Sequence, residues 1–260
     1  MTLTYPDYLQ LEQLLALQKP RSQPAEHDEM LFIVIHQVYE LWFKLVLHEI
    51  EKIKADLVSG DLFAAIATFK RVRTVMKTLV GQLDILETMT PLSFASFRDR
   101  LDTASGFQSV QFRELEFELG NKKERALDAL EPGSADRARL ERRYRDSTLL
   151  DAFYRFLDRR GLKVPEELLR RDVSQPTTAN EALQGELLRA YKQQPELVIL
   201  LELMTDFDEG LQEWRYRHVK LAERTIGAKR GTGGSAGVEF LKQSLFKPVF
   251  PDLWAIRHQM

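Results

Sequence analysis

Residues 27–54, HDEMLFIVIHQVYELWFKLVLHEIEKIK, decide the fold. The stretch holds no Gly and no Pro, and its apolar residues recur at helical spacing. Asp28 stands where an N-cap is expected, shortly after Pro24, and Glu29 adds negative charge in the first turn, where the helix dipole favours it. The spacing predicts a helix of about seven turns. Near its middle lies His36. Phe32, Ile33, Tyr39 and Glu40 stand three and four residues away and Phe43 stands seven away, so all share its face. An imidazole in an apolar stripe is either a satisfied histidine at the core edge or a site residue lining an aromatic pocket. Periodicity alone favours the first.

Outward from this helix, the same period recurs. Ser59–Gly60–Asp61 reads as a turn, and Asp61 can cap a second long helix over Asp61 to Thr88, stopped by Met89–Thr90–Pro91. A short helix follows with Phe94, Phe97, Arg98 and Leu101, then a loop, then SVQFRELEFELG, which ends at Gly120. Residues 121–178 are the most charged part and read as short surface helices, with Ser147 and Pro165 as start signals. They form an insertion or cover, because their apolar residues are too few for an independent core. Pro195 opens another long helix through about Ile226 that carries His218. Gly227 ends it, and the loop AKRGTGGSAG and a short helix over Val238 to Leu245 lead into KPVFPDLWAIRHQM. Residues 1–26 form an N-terminal arm whose Tyr5, Tyr8 and Leu9 lack local partner surface and can pack on the body or on a neighbouring subunit. No strand or hairpin signal stands out. The expected fold is all-α, a single domain over 1–260 in which a bundle of long helices is joined by smaller cover helices.

Composition narrows the chemistry. The 260 residues are 44% hydrophobic, enough for a sizeable core, and the formal net charge of −2 gives no basic excess for nucleic acid. There is no cysteine, which excludes disulfides, thiolate haem ligation, iron–sulfur clusters and a thiol nucleophile. Imidazole chemistry must come from His27, His36, His48, His218 and His258. The N-terminus shows no signal-peptide pattern, and the uninterrupted apolar runs fall short of the ~18 residues that span a bilayer. A soluble cytoplasmic protein, with no membrane partner, is the expectation.

Two mid-helix histidines on separate long helices, His36 and His218, raise the possibility of a cofactor held between facing helices. Di-iron ligation is a poor fit, because no histidine has a Glu three residues before it. The zinc-protease pattern fails too, since His48–Glu49 leads to Lys52. His27, His48 and His258 read as surface residues. The loop GTGGSAG (231–237) follows a helix, so it is neither a dinucleotide fingerprint nor a P-loop. It is a flexible linker or a backbone nest that, with the Thr232 hydroxyl, holds an anionic group. Arg98 is a second candidate carboxylate holder.

On YPDYLQLEQLL, LQKPRS, HDEMLFIVIHQVYELWFKLVLHEI, MTPLSFASFRDRL, ASGFQSVQFRELE, EWRYRHVKLAERTIGAKRGTGGSAGVEFL and FPDLWAIR, the chain resembles the tryptophan 2,3-dioxygenase family nearly end to end. The resemblance implies a ferrous haem b whose iron is held by His218, with the distal His36 meeting the substrate's indole N–H. It implies Phe32 and Phe94 flanking the indole, Arg98 on the substrate carboxylate, Thr232 on its carboxylate and ammonium groups, and Ser105 in the distal pocket near a haem propionate. It further implies a homotetramer in which Tyr5, Tyr8 and Leu9 reach a neighbouring active site. The reaction implied is insertion of both atoms of O2 across the indole C2–C3 bond of L-tryptophan to give N-formyl-L-kynurenine. A related haem monooxygenase making an oxindole, and a non-catalytic haem or tryptophan sensor, are the alternatives. The chain departs from the family in carrying Ala236 where the loop usually has Ser, with Thr232 and Ser235 kept, and in carrying Phe94 where some relatives have Tyr.

Overall fold

The computed structural model describes residues 2–232 and 236–260. Two short helices come first. α1 (Tyr5–Leu9) is capped by Thr4, whose hydroxyl accepts from the Asp7 amide, and has Pro6 in its first turn, where a missing N–H leaves nothing unsatisfied. α2 (Leu11–Leu15) follows, and neither helix buries a residue. α3 (His27–Ser59) is longer than its apolar stripe alone indicated and stops at Gly60, whose φ of +85° suits a residue without Cβ. Its N-cap is Glu26, not Asp28. The entry is organised by Glu29 instead: its buried carboxylate accepts from the Arg21 amide at 2.7 Å, the Ser22 amide at 3.0 Å and the Ser22 hydroxyl. Those bonds hold its pKa below the ordinary carboxylate value against the upward push of burial.

α4 (Leu62–Leu86) starts where expected, with the Asp61 carboxylate accepting from the Ala64 amide at 3.0 Å. α5 (Pro91–Arg98) is capped by Thr90 and α6 (Val110–Glu118) by Ser109. In the charged segment, α7 (Ala135–Arg145) is capped by Ser134, and α8 (Leu149–Arg159) by a Thr148–Asp151 capping box rather than by Ser147. α9 (Glu166–Leu169) and α10 (Glu181–Gln193) lead into α11 (Pro195–Ile226), and α12 (Val238–Lys242) and α13 (Pro251–Ala255) close the chain. No strand occurs among the described residues.

α4 is the central rod, packed along α3 on one side and α11 on the other. The approach to α11 is close: a Cβ on Gly210 would stand 3.1 Å from Met76 Cγ. α6 and α8 pack on α3, and α5 bridges the N-terminal half of α3 and α11. The charged segment divides. α7 is a cover, tied to α6 and α3 by Arg139–Glu114 at 3.0 Å, Arg143–Glu118 at 2.8 Å and Arg143–Glu51. α8 corrects the surface-helix reading. Leu149, Leu150, Phe153, Tyr154, Phe156 and Leu157 are all buried in the main core, because its apolar stripe completes the groove beside α3.

By length and composition α3 also passes for a membrane span, since one 18-residue window reaches a mean hydropathy of 1.6. This qualifies the expectation from uninterrupted runs, which Glu40 and Lys44 break up. In the fold the helix contributes Ile35, Tyr39, Phe43, Val46, Leu47, Ile50, Ile53 and Leu57 to the core.

The C-terminal segment is pinned by one carboxylate. Asp208, fully buried in α11, accepts from the Val249 amide at 2.8 Å and from the Phe250 amide and Trp254 Nε1 at 2.9 Å each. Gln212 Nε2 donates to its other oxygen at 3.2 Å, so Asp208→Ala leaves four donors without this acceptor. It is expected to destabilise the fold by on the order of 3 kcal/mol, read as a lower denaturant midpoint at unchanged slope.

Candidate active site

α3 presents one residue per turn to a cavity of about 730 Å³: Phe32, His36, Glu40 and Lys44. The rest of the lining comes from the segment from Leu101 to Gln111, including Ala104, Ser105 and Gly106, and from Asp136 and Arg139 of α7. Spacing of four on one helix therefore grades the wall from aromatic ring to imidazole, carboxylate and ammonium. The volume is within the range of small-molecule and cofactor sites.

The apolar end is an aromatic cluster. Phe32 lies 4.1 Å from the His36 ring, 5.7 Å from Phe94 and 5.6 Å from Phe97, all centroid to centroid. Phe94 and Phe97 are buried with Met89, and Leu31, Leu101 and Ile226 pack around them. α5 brings Phe94 here because its N-cap Thr90 and Pro91 fix where the helix begins.

His36 Nδ1 lies 2.7 Å from the Phe32 carbonyl oxygen. A carbonyl only accepts, so Nδ1 carries the proton and Nε2 is left with its lone pair. Burial pushes the His36 pKa below its usual 6.5, opposed by the Phe32 hydrogen bond and by the Glu40 charge. The neutral ring is the form at pH 7. Glu40 is itself fixed: Gln111 Nε2 donates to its Oε2 at 2.8 Å and to its backbone carbonyl at 2.9 Å, tying α6 to α3 beside the cavity. Gln111 was not singled out in the sequence, since nothing local marks a partner so distant in the chain.

His218 is set deep in the molecule on α11. Its pKa is pushed down to about 4, first by burial and then by the charge His36 would carry. Part of its surface is still open, so the ring combines a desolvated position with an accessible edge. It stacks on Trp214, one turn back, at 5.1 Å and 23°. Among the described residues neither of its ring nitrogens has a hydrogen-bond partner. It does not line the large cavity itself; it lies near enough to His36 for the two charges to interact. A neutral, unpartnered imidazole beside a cavity is the donor chemistry that haem iron takes when no thiolate exists. On that ground the chemistry of the residues present fits a haem, which His218 would hold.

The loop after α11 is tied to α5 and to the cavity wall. Arg98 Nη2 donates to the Arg230 carbonyl at 2.5 Å, and the Thr232 hydroxyl donates to the Ala104 carbonyl, on the cavity wall, at 2.6 Å. Gly237 is obligatory, with φ +61° and a Cβ that would stand 2.7 Å from the Lys229 carbonyl oxygen. Ser235 lies outside the described residues, and Ala236 is exposed. Ser105 lines the cavity and its hydroxyl accepts from the Phe107 amide at 3.4 Å.

The structure thus gathers Phe32, His36 and Ser105 at one cavity, with Phe94 packed behind Phe32, His218 near His36, and Arg98 and Thr232 bracing the adjoining loop. It does not bring Tyr5, Tyr8 or Leu9 to this cavity. Both tyrosines are 72% exposed, and Leu9 is 40% exposed. His27, His48 and His258 are all exposed.

A family model described as "Tryptophan 2,3-dioxygenase" matches residues 1–166 and 163–260. Among curated proteins named tryptophan 2,3-dioxygenase, that of Herpetosiphon aurantiacus is 51% identical over 98% of this chain and 97% of its own length. That of Anaeromyxobacter sp. (strain K) is 50% identical over 98% and 95%, and that of Kineococcus radiotolerans is 43% identical over 99% and 91%.

Proposed function

Because the chain belongs to the tryptophan 2,3-dioxygenase family, we propose that its cavity is a haem site at which L-tryptophan is opened to N-formyl-L-kynurenine. The protein is a dioxygenase of tryptophan by membership. The observation that carries the proposal is the pair of neutral imidazoles, His36 with a free Nε2 acceptor and His218 with no partner among the described residues.

When bound, haem supplies dioxygen binding and the redox chemistry of insertion. His218 is the residue that would hold its iron, and Ser105 offers a hydroxyl to a propionate. The rest is positioning by this chain. Phe32 and Phe94 provide the apolar walls that suit an indole. His36 Nε2 accepts the indole N–H and sets the ring's angle; an indole N–H is too weakly acidic for a neutral imidazole to remove. Arg98 has further N–H donors beyond the one spent on Arg230, enough to take a carboxylate. Thr232 adds a hydroxyl from the loop. Together they would fix the zwitterionic end of the substrate, and the reaction gains from restricted orientation.

The arm reading rests on exposure. Leu3, Tyr5, Tyr8, Leu15 and Leu17 are each more than half exposed, a concentration of apolar surface that a second subunit would cover. The proposed assembly is a homotetramer with the arm entering a neighbouring site. Removing residues 2–17 is expected to lower the assembly state and turnover together, seen by light scattering alongside activity.

His36 gives a pH dependence. Its folded pKa lies below 6.5, so the acceptor form predominates at pH 7 and is lost as pH falls through the depressed value. kcat/KM is therefore expected to be flat from pH 7 to 8 and to fall on an acid limb whose midpoint lies below 6.5. A limb above 6.5 would contradict the assignment. The direct test of function is aerobic turnover of L-tryptophan by the reduced, haem-loaded protein with the product identified.

A further inference from the structure

A metal-ligating histidine is ordinarily oriented by a hydrogen bond from its second ring nitrogen, and among the described residues His218 has none. What holds its ring is an aromatic ladder. Trp214 stacks on it at 5.1 Å and 23°, and at i and i+4 on α11 the two rings lie on one face. Trp214 is in turn boxed by Phe112 at 5.3 Å and by Tyr39 at 6.3 Å, edge on. Its indole N–H is buried with no full-geometry partner and sits against the Tyr39 hydroxyl. Tyr39 is buried and donates to the Leu79 carbonyl at 2.7 Å; burial pushes its pKa up to about 12, so it remains a donor. The ladder therefore runs from α4 through α3 to α11 and ends on His218. Tyr39 stands one turn from His36, so one helix braces both sides of the site.

We infer that Trp214, braced by Tyr39 and Phe112, is a positioning residue that fixes the ring plane of His218 in place of the usual hydrogen-bond partner. The inference rests on the reading of His218 as the iron ligand. In this role Trp214 touches neither substrate nor cofactor and acts through the imidazole. Its stacking face matters more than its N–H, so phenylalanine should substitute for it and an aliphatic residue should not.

The experiment compares wild type, Trp214→Phe, Trp214→Leu, Tyr39→Phe and His218→Ala. In the apoprotein, labelled-histidine NMR reads the ring-current shift on His218. It is expected to be largely kept in Trp214→Phe and lost in Trp214→Leu. In the haem-loaded ferrous protein, the iron–histidine stretching mode is expected to shift and broaden in Trp214→Leu, to broaden slightly in Tyr39→Phe, and to stay near wild type in Trp214→Phe. Haem retention in Trp214→Leu should weaken roughly 10- to 100-fold. If Trp214→Leu does not fold, Trp214→Met, a flexible filler, and Tyr39→Phe carry the test. A mode lost in His218→Ala but unchanged in a folded aliphatic variant overturns the positioning role alone. A mode that persists in His218→Ala overturns the ligand assignment and the inference with it.

Discussion

Replacing His218 with alanine is expected to abolish the Soret signature of bound haem and to lower tryptophan turnover by on the order of 1000-fold or more, a loss of at least ~4 kcal/mol of transition-state stabilisation. The effect should be large because nothing nearby can stand in. The chain has no cysteine, and no cluster of three or more metal-binding side chains occurs among the described residues. The free Nε2 of His36 is assigned to the substrate's indole N–H, its Nδ1 being spent on the Phe32 carbonyl. The fold should survive, since His218 contributes a stack to the core and no hydrogen bond among the described residues. Circular dichroism and the unfolding midpoint should therefore stay near wild type, and free imidazole added to the variant should restore part of the haem spectrum. A variant that kept haem and turned over normally would show that the iron is held from another side chain.

Replacing Arg98 with alanine is expected to raise KM for L-tryptophan about 10- to 150-fold, which corresponds to the ~1.5–3 kcal/mol of a hydrogen bond to a charged group. Two effects act together. The substrate carboxylate loses its charged partner. The loop also loses its tie, because Arg98 Nη2 bonds the Arg230 carbonyl next to Thr232. The second effect predicts that kcat falls as well, since a loosened Thr232 no longer fixes the amino-acid end of the substrate. Tryptamine, which has no carboxylate, separates the two: its KM should change far less than that of tryptophan. An unchanged KM for tryptophan would remove Arg98 from the site.

Much of the fold was legible because its longest elements are governed by local rules. Asp61 caps α4, Pro195 opens α11 and Ile226 ends it, each at the residue that capping chemistry indicated. The misses have the same origin in reverse. Asp28 had the composition of an N-cap, but the Arg21–Ser22 loop folds back onto Glu29 and moves the cap to Glu26. α8 looked like surface because its neighbours in sequence are charged; its own stripe is buried by α3, a contact that no local pattern reports.

The site was less legible from residues alone. Periodicity put His36 on a face with Phe32 and Glu40, and that grouping is the cavity wall. It could not distinguish a core-edge histidine from one whose Nε2 is left free, because that depends on the Phe32 carbonyl. His218 looked like a surface histidine among charges. It is stacked on Trp214, which Tyr39 of α3 and Phe112 of α6 box in turn, contacts that no local pattern reports. The resemblance to a family supplied the assignments of Arg98, Thr232 and Ser105, and the structure shows what each now bonds.

With haem bound, this cavity would place both atoms of one dioxygen molecule into tryptophan. The most direct measurement is the mass of the product formed from L-tryptophan under isotopically labelled dioxygen by the reduced, haem-loaded protein. The account predicts N-formyl-L-kynurenine carrying two labelled oxygens. A product with a single labelled oxygen, such as an oxindole, or no turnover by protein with a full complement of haem, would contradict it.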